Sequence, residues 1–350
     1  MTVKDVIFLG AGASKSEGAS LQSELIHDFF SLDLRDKRYQ RLRSNLAEFF
    51  NSFFGVNVSG NKPNGKEYPT FEEVLGMLDL ALQREESFKG FESSPVNPQI
   101  QLVRENLVYL MAVLLDKQLK DPATHHRTLV KRLSKEGQLS STTFVSSNYD
   151  ILIDNALVDA YPNFDLAYGV DFTNFVKGGD WSRPRPGREV FLYKIHGSLN
   201  WLYCPACISL TLTPKEKSVA KLVFDPVQCH HCKTSMTPIV VPPTYFKDVS
   251  NLFLQEVWLS AGKAIRDADR LFFCGYSFPD ADVLVKYLFK RGEMDQGRTP
   301  RIFVVNGSKD WDTGDASQEA SRYRRFFKEP GDVHLTQSSF EKFCASGIDE

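Results

Sequence analysis

At 350 residues, with 42% hydrophobic and 25% charged side chains, the chain has the material for one large or two ordinary globular domains. A net charge of −2 removes any general electrostatic case for nucleic acid or an anionic membrane, and no apolar stretch approaches the length of a membrane span. Six cysteines, four of them in two close pairs, suit a reducing compartment with a metal site better than a disulfide scaffold, so a cytoplasmic protein is expected.

The first element is a strand-like run, Val6-Ile7-Phe8-Leu9, which ends abruptly in Gly10-Ala11-Gly12-Ala13-Ser14. Met1 to Leu9 is a short strand beside a charged pair and not the apolar core of a signal sequence. Spaced glycines let the backbone turn tightly and approach a pyrophosphate, whose charge meets amide N–H groups and the start of the next helix. A helical stretch follows. A loop is expected from about Ser52 to Pro69, then a capping box at Thr70-Phe71-Glu72-Glu73 with Phe71, Val74, Leu75 and Leu78 on one face. Asn97 as cap and Pro98 at the first helical position open a second helix, with Leu102, Val103, Leu107, Leu110, Met111, Leu114 and Leu115 as its apolar face.

Further apolar, β-branched runs predict buried parallel strands at Thr142–Ser146, Val190–Ile195, Arg270–Cys274 and Arg301–Val305. Asn148, His196, Gly275 and Asn306 follow them within one or two residues. Open α/β sheets bind ligands at the carboxyl ends of their strands, so these residues and Gly10 are expected along one edge. Ser182–Arg188 is a short basic loop, expected in solvent.

Cys204-Pro205-Ala206-Cys207 and Cys229-His230-His231-Cys232 are two C-x2-C knuckles. Zinc takes four such ligands at tetrahedral corners, and four thiolates leave no position for a catalytic water, so a structural zinc site is expected. His230 or His231 in place of one cysteine stays open. Cys274 and Cys344 read as buried thiols.

Taken in order, these motifs resemble the sirtuin fold: the glycine loop, Asn148-Tyr149-Asp150, His196-Gly197, the four-cysteine insertion, then strands ending in Gly275-Tyr276-Ser277 and Asn306. More narrowly, the chain resembles the sirtuin-like (Sir2-like) branch of bacterial antiphage-defence NAD hydrolases, a branch also marked by Phe278-Pro279-Asp280-Ala281-Asp282. The resemblance implies an α/β fold, a Rossmann-like parallel sheet with a helical insertion and a four-cysteine zinc module. The implied NAD-binding domain comprises 1–35, 138–203 and 236–350, with the helical insertion at 36–137 and the zinc module at 204–235. Carried over residue by residue, Gly10, Ala11, Gly12 and Ser14 surround the cofactor phosphates, with Gly275, Tyr276 and Ser277 against them and Asn306 near the adenosine ribose. Asn148 and Asp150 face the nicotinamide ribose and carboxamide, and His196 is the catalytic histidine. By residue type alone, Asn148 and Asp150 also suit a turn and helix cap, and His196-Gly197 a strand-end turn. Tyr149, Tyr276 and Trp201 read as packing residues, Trp201 with the alternative of lining the nicotinamide side.

Two departures bear on activity. Sirtuin deacylases carry a Ser-Gly-Ile-Pro-x-Phe-Arg segment after the first glycines, where this chain has Glu17-Gly18-Ala19-Ser20-Leu21-Gln22-Ser23. They use Phe-Gly-Glu after the zinc module to help bind an acyl-lysine peptide, where this chain has Val240-Val241-Pro242-Pro243-Thr244-Tyr245. Both losses fall on peptide-dependent acyl transfer rather than on holding NAD. The implied activity is cleavage of the nicotinamide–ribose bond of NAD, used for NAD depletion in antiphage defence. Control is expected through a homo-oligomer or a separately encoded partner such as an ATPase or nuclease subunit. A deacylase or ADP-ribosyltransferase, and a non-catalytic NAD- or ADP-ribose-binding subunit, are the alternatives. A dinucleotide oxidoreductase fits poorly, because the Gly-x-Gly-x-x-Gly fingerprint needs glycine where Lys15 stands.

Overall fold

The structure, a computed structural model, describes residues 3–57, 67–92, 98–119, 124–159, 164–173, 182–213, 227–240, 251–307 and 310–348. The chain opens with β1 (Asp5–Leu9), all five residues of which are buried. Alternate residues of a strand face opposite sides, so complete burial means that both faces are covered. Helices α1 (Ala11–Lys15), α2 (Leu25–Ser31), α3 (Lys37–Phe54), α4 (Phe71–Gln83), α5 (Gln99–Gln118) and α6 (Thr124–Lys135) follow. Next come β2 (Thr142–Ser146), α7 (Leu152–Val158), β3 (Asp165–Ala167) and β4 (Glu189–Lys194). A separate antiparallel sheet, in the order β6-β5-β7, is built from β5 (Gly197–Cys204), β6 (Ser209–Leu212) and β7 (Thr237–Val240). The remainder is α8 (Leu252–Arg266), β8 (Arg270–Cys274), α9 (Val283–Gln296), β9 (Arg301–Val305), α10 (Gly314–Phe326), β10 (Val333–Leu335) and α11 (Phe340–Ser346).

The main sheet has seven strands in the order β10-β9-β8-β1-β2-β4-β3, and every neighbouring pair is parallel. From β1 the chain first builds outward through β2 and β4, then returns to add β8, β9 and β10 on the other side. The reversal leaves a crevice at the carboxyl ends of β1 and β8, where doubly wound sheets bind ligands. All the strands expected from the sequence lie in this sheet. The third of them, β4, ends one residue early, at Lys194, because Ile195 and His196 form a turn between β4 and β5.

A second apolar core lies among the helices, where Leu25, Phe29, Phe50, Phe71, Leu75, Leu107, Leu110 and Leu114 are buried together. The Thr70 hydroxyl accepts from Glu73 N at 3.2 Å while the Glu73 carboxylate accepts from Thr70 N at 2.7 Å, so the expected capping box forms. α5 differs from its expected single face. Leu102 is exposed, whereas Leu110 through Leu115 are all buried, because α2, α3 and α4 pack around this helix. Pro98 stands at its cap, and Asn97 lies outside the described residues. α3 runs through Phe54 into the span expected to be loop, half of which is also outside the described residues. Ser182–Arg188 is largely exposed, with Arg185 paired to Asp165. Among the described residues no helix is long and apolar enough to cross a membrane.

Candidate functional site

The turns after β1 and β8 are pressed together. Gly10 N donates to Cys274 O at 2.9 Å and Gly12 N to Gly275 O at 2.8 Å. A Cβ on Gly10 would lie 2.6 Å from Gly275 O; one on Gly275, where φ is +66°, would lie 2.0 Å from Ala13 N. The glycine pattern is thus demanded by the contact of two loops, and Gly12 N–H is already committed to it.

A cavity of about 570 Å³ opens beside this contact at the carboxyl ends of β1, β8 and β9. Gly12, Gly275, Ser277 and Asn306 line it, together with Glu319 of α10 and Glu341 of α11. The Asn306 amide clasps the neighbouring turn: Oδ1 accepts from Tyr276 N at 3.1 Å and Nδ2 donates to Tyr276 O at 2.8 Å and to the Glu319 carboxylate. Tyr276 itself turns into the core, with its ring 4.7 Å from Phe8 and its hydroxyl donating to Asp282 at 2.8 Å. Burial, then the neighbouring Asp282, pushes its phenol well above the usual range.

A second, smaller cavity of about 40 Å³ is lined by Ala11, Ser14, Asn148, Tyr149 and Asp150, with Gln22 and the apolar Leu25, Met111 and Leu115 opposite. Ala11 borders both cavities. Here the Ser14 hydroxyl donates to Asp150 Oδ2 at 2.6 Å, and Asn148 Nδ2 donates to Ser14 Oγ and to Gly10 O, each at 2.9 Å. Asp150 Oδ1 accepts from Leu152 N at 3.0 Å, closing a turn just ahead of α7, whose cap position is taken by Ile151. Ser14, Asn148 and Asp150 are therefore brought together, and the turn geometry coexists with the cluster. Tyr149 is buried, which keeps its phenol well above the usual range, the nearby Glu72 acting in the same direction.

His196 takes a different position. It is 1% exposed, with its ring 6.4 Å from that of Tyr149 and 6.3 Å from that of Trp258, and it lines neither cavity. The following Gly197 has φ +80°, and a Cβ there would meet Ile239 O at 2.1 Å, so the pairing of β5 with β7 requires glycine. Trp201 is fully buried against Tyr168 and Phe172, which settles it as a packing residue.

Four residues near this site, Lys194, Asp154, Glu17 and Gln22, were not singled out from the sequence. Lys194 is wholly buried; its ammonium donates to the Asp150 carbonyl and lies 3.1 Å from Asp154 Oδ2. Asp154 also accepts from the Tyr168 hydroxyl at 2.7 Å. A lone lysine inside the apolar run Val190–Ile195 was the available signal, since a fully buried charge needs a partner. Glu17 follows α1 and accepts from the backbone N–H groups of Thr124, His125 and His126 and faces the His126 ring at 3.1 Å, fastening the segment after the glycine turn to α6. Gln22, in the segment that departs from the deacylase pattern, has no sequence signal.

At the far end of β5 the sulfurs of Cys204, Cys207, Cys229 and Cys232 lie within 4.8 Å of one another, with Cys204 Sγ 3.5 Å from Cys232 Sγ and Cys207 Sγ 3.8 Å from Cys229 Sγ. Zinc–sulfur bonds of ~2.3 Å in a tetrahedron set sulfurs ~3.8 Å apart, so the cluster fits a zinc ion with all four positions filled by protein. His230 and His231 are exposed and outside the cluster. Cys274 and Cys344 are buried, as expected.

A parallel doubly wound sheet, a glycine crevice at its switch point and a four-cysteine insertion define an α/β protein of the Rossmann-like class. The family profile of the SIR2-like domain matches residues 142–329, more than half of the chain, and the protein belongs to that family. No curated protein matches the sequence. Among solved structures the chain is similar to a Sir2 homolog in complex with NAD, at 13% identity and a TM-score of 0.48 over 97% of this chain and 86% of that one. It is also similar to Sir2Tm bound to a propionylated peptide, at 13% identity and a TM-score of 0.43 over 97% and 90%.

Proposed function

We propose that the protein is an NAD hydrolase that releases nicotinamide and leaves ADP-ribose, acting in the cytoplasm as an NAD-depleting effector of bacterial antiphage defence. The observation that carries this reading is the pair of cavities meeting at Ala11, the larger framed by glycine turns and the smaller by the Ser14–Asn148–Asp150 cluster. The ADP portion occupies the larger cavity, and the nicotinamide end reaches Asn148 and Asp150. The bond that breaks joins ribose to a cationic ring, so nicotinamide leaves neutral without a proton donor, through an oxocarbenium-like transition state. Water supplies the new oxygen on the anomeric carbon and loses one proton. Asn148, whose two N–H groups are held by Gly10 O and Ser14 Oγ, positions that water through its Oδ1, and Asp150 orients the carboxamide or stabilises the positive charge. His196 is assigned as the acceptor of the proton from water or a ribose hydroxyl, a task suited to an imidazole near neutral pH. Zinc would hold the insertion together and supplies no step. Uncontrolled NAD loss would harm the host cell, so activity is gated by self-assembly or by a separately encoded partner protein.

The test is NAD loss and nicotinamide release by the purified protein beside Asn148→Ala and His196→Ala, with and without an acyl-lysine peptide. Peptide-independent release lost in both variants is the expected result. Release only with peptide assigns a deacylase, and transfer of ADP-ribose to protein an ADP-ribosyltransferase. NAD binding without turnover, unchanged in both variants, assigns a non-catalytic subunit. Release lost in Asn148→Ala but kept in His196→Ala removes the histidine from the reaction and leaves it a packing residue.

A further inference from the structure

The small cavity beside Asn148 contains a polar atom that nothing in the fold uses. Gln22 lines this cavity, and its Oε1 is buried without a hydrogen-bond partner. The backbone around it is fastened on both sides. Ser20 N donates to Gln118 Oε1 at 3.0 Å, Leu21 N donates to the Glu24 carboxylate at 2.8 Å, and Gln22 O accepts from Phe71 N at 3.5 Å. The orphaned acceptor is therefore held in place and does not belong to a loose loop. Buried polar groups in native proteins are paired, and an exception calls for an explanation such as a missing ligand.

The neighbouring polar groups are occupied with one another. Asn148 Nδ2 serves Gly10 and Ser14, and the Asp150 carboxylate receives Ser14 and Leu152. Leu25, Met111 and Leu115 add apolar wall. At about 40 Å³ the cavity has room for about two or three water-sized groups. A carboxamide has three heavy atoms, two N–H donors and a flat ring attached, which matches a small niche with a free acceptor and an apolar rim. We propose that Gln22 Oε1 accepts an N–H of the nicotinamide carboxamide and makes Gln22 a specificity-determining residue, selecting the amide over the corresponding acid. A carboxylate in the same pose would place oxygen against oxygen with no hydrogen between them, and would be received only with the Gln22 amide turned over. The assignment rests on the reading of the protein as an NAD-cleaving enzyme, and it concerns a residue where this chain departs from the deacylase pattern.

The experiment measures binding of nicotinamide, nicotinic acid and ADP-ribose to the full chain by titration, for wild type, Gln22→Leu and Gln22→Glu. Gln22→Leu is expected to bind nicotinamide about tenfold more weakly and to lose the preference for nicotinamide over nicotinic acid, with ADP-ribose affinity within about twofold of wild type. Its melting temperature is expected not to fall, since an unpaired buried acceptor has been removed. Gln22→Glu keeps an acceptor oxygen and is expected to retain the amide preference that Gln22→Leu loses, a split that a purely structural role for Gln22 would not produce. A wild-type ratio of nicotinamide to nicotinic acid binding in Gln22→Leu overturns the assignment while leaving the NAD reading intact. Absence of ADP-ribose binding by wild type overturns the NAD reading and this inference with it.

Discussion

Ser14 Oγ donates to Asp150 Oδ2 at 2.6 Å and accepts from Asn148 Nδ2 at 2.9 Å, joining the turn after β1 to the loop after β2 through one hydroxyl. No other atom type at position 14 could do both, since a hydroxyl is donor and acceptor at once. Ser14→Ala strips a partner from two polar groups in a mostly buried cluster. Unfolding in urea is expected to show a loss of about 1–3 kcal/mol. Nicotinamide release is expected to fall at least tenfold, because Asn148 and Asp150 lose their common reference point. A variant with the expected instability but wild-type turnover would assign the cluster to folding alone.

Much of this arrangement was legible in the sequence. Strand positions and the residues after them could be read because buried parallel strands are short unbroken apolar runs, and Gly10, Asn148, Gly275 and Asn306 punctuate them. The four cysteines were legible because zinc restricts both spacing and residue type. Tertiary enclosure was not. Leu102 lies about 140° around the helix from Leu107 and faces solvent, whereas residues 110–115 are buried around the whole helix because three other helices surround α5, and a one-dimensional pattern cannot count neighbours. His196 carries the residue type of a proton acceptor, but the sequence cannot show that Tyr149 and Trp258 flank its ring. Asn306 and Tyr276 were expected around the cofactor; Asn306 does line the larger cavity, but its amide also braces the backbone of Tyr276, whose side chain turns into the core.

Glu17 sets an acid limit on stability. Burial alone would raise its carboxyl, but hydrogen bonds from the His126 ring and from the backbone of His126 and Thr124 outweigh it and hold the group at about 2, below its usual 4.5. A group whose folded value is depressed stabilises the fold above its unfolded value. That contribution, on the order of 3 kcal/mol, is therefore complete above about pH 4.5 and is lost as the pH falls toward 2. Glu17→Gln is expected to melt lower than wild type at pH 6 and to converge with it near pH 2. Melting temperatures across that range check it, and parallel curves would mean that the carboxylate contributes nothing as an anion.

The four-sulfur cluster predicts one zinc ion per chain by elemental analysis, reduced to background in Cys204→Ser. The surrounding core is small, consisting of Leu202, Cys204, Cys229 and Met236 with Val227 against them, so little else holds the knuckles. A chelator strong enough to remove zinc is expected to raise proteolysis between 204 and 235 while the seven-stranded sheet keeps its far-ultraviolet signature. Because the four thiolates would close the coordination sphere, activity is expected to follow folding of this segment and not metal identity. Cobalt substitution that restores protease resistance without restoring turnover would contradict a structural role.

Lys194 and Asp154 form the deepest ion pair near the site, with side chains 0% and 4% exposed and 3.1 Å apart. Lys194→Met leaves the Asp154 carboxylate buried without a counter-charge and is expected to cost about 3–5 kcal/mol. Lys194→Met combined with Asp154→Leu removes both charges, and apolar replacements of a buried pair are often neutral, so most of that stability is expected to return. Activity is expected to behave differently. The Lys194 ammonium also donates to the Asp150 carbonyl, so it braces the loop that carries Asn148 and Asp150, and neither variant restores that bond. The double variant is therefore expected to unfold near the wild-type urea midpoint yet release nicotinamide slowly, with the defect in kcat. Recovery of turnover along with stability would reduce Lys194 to a structural residue and detach the ion pair from the site.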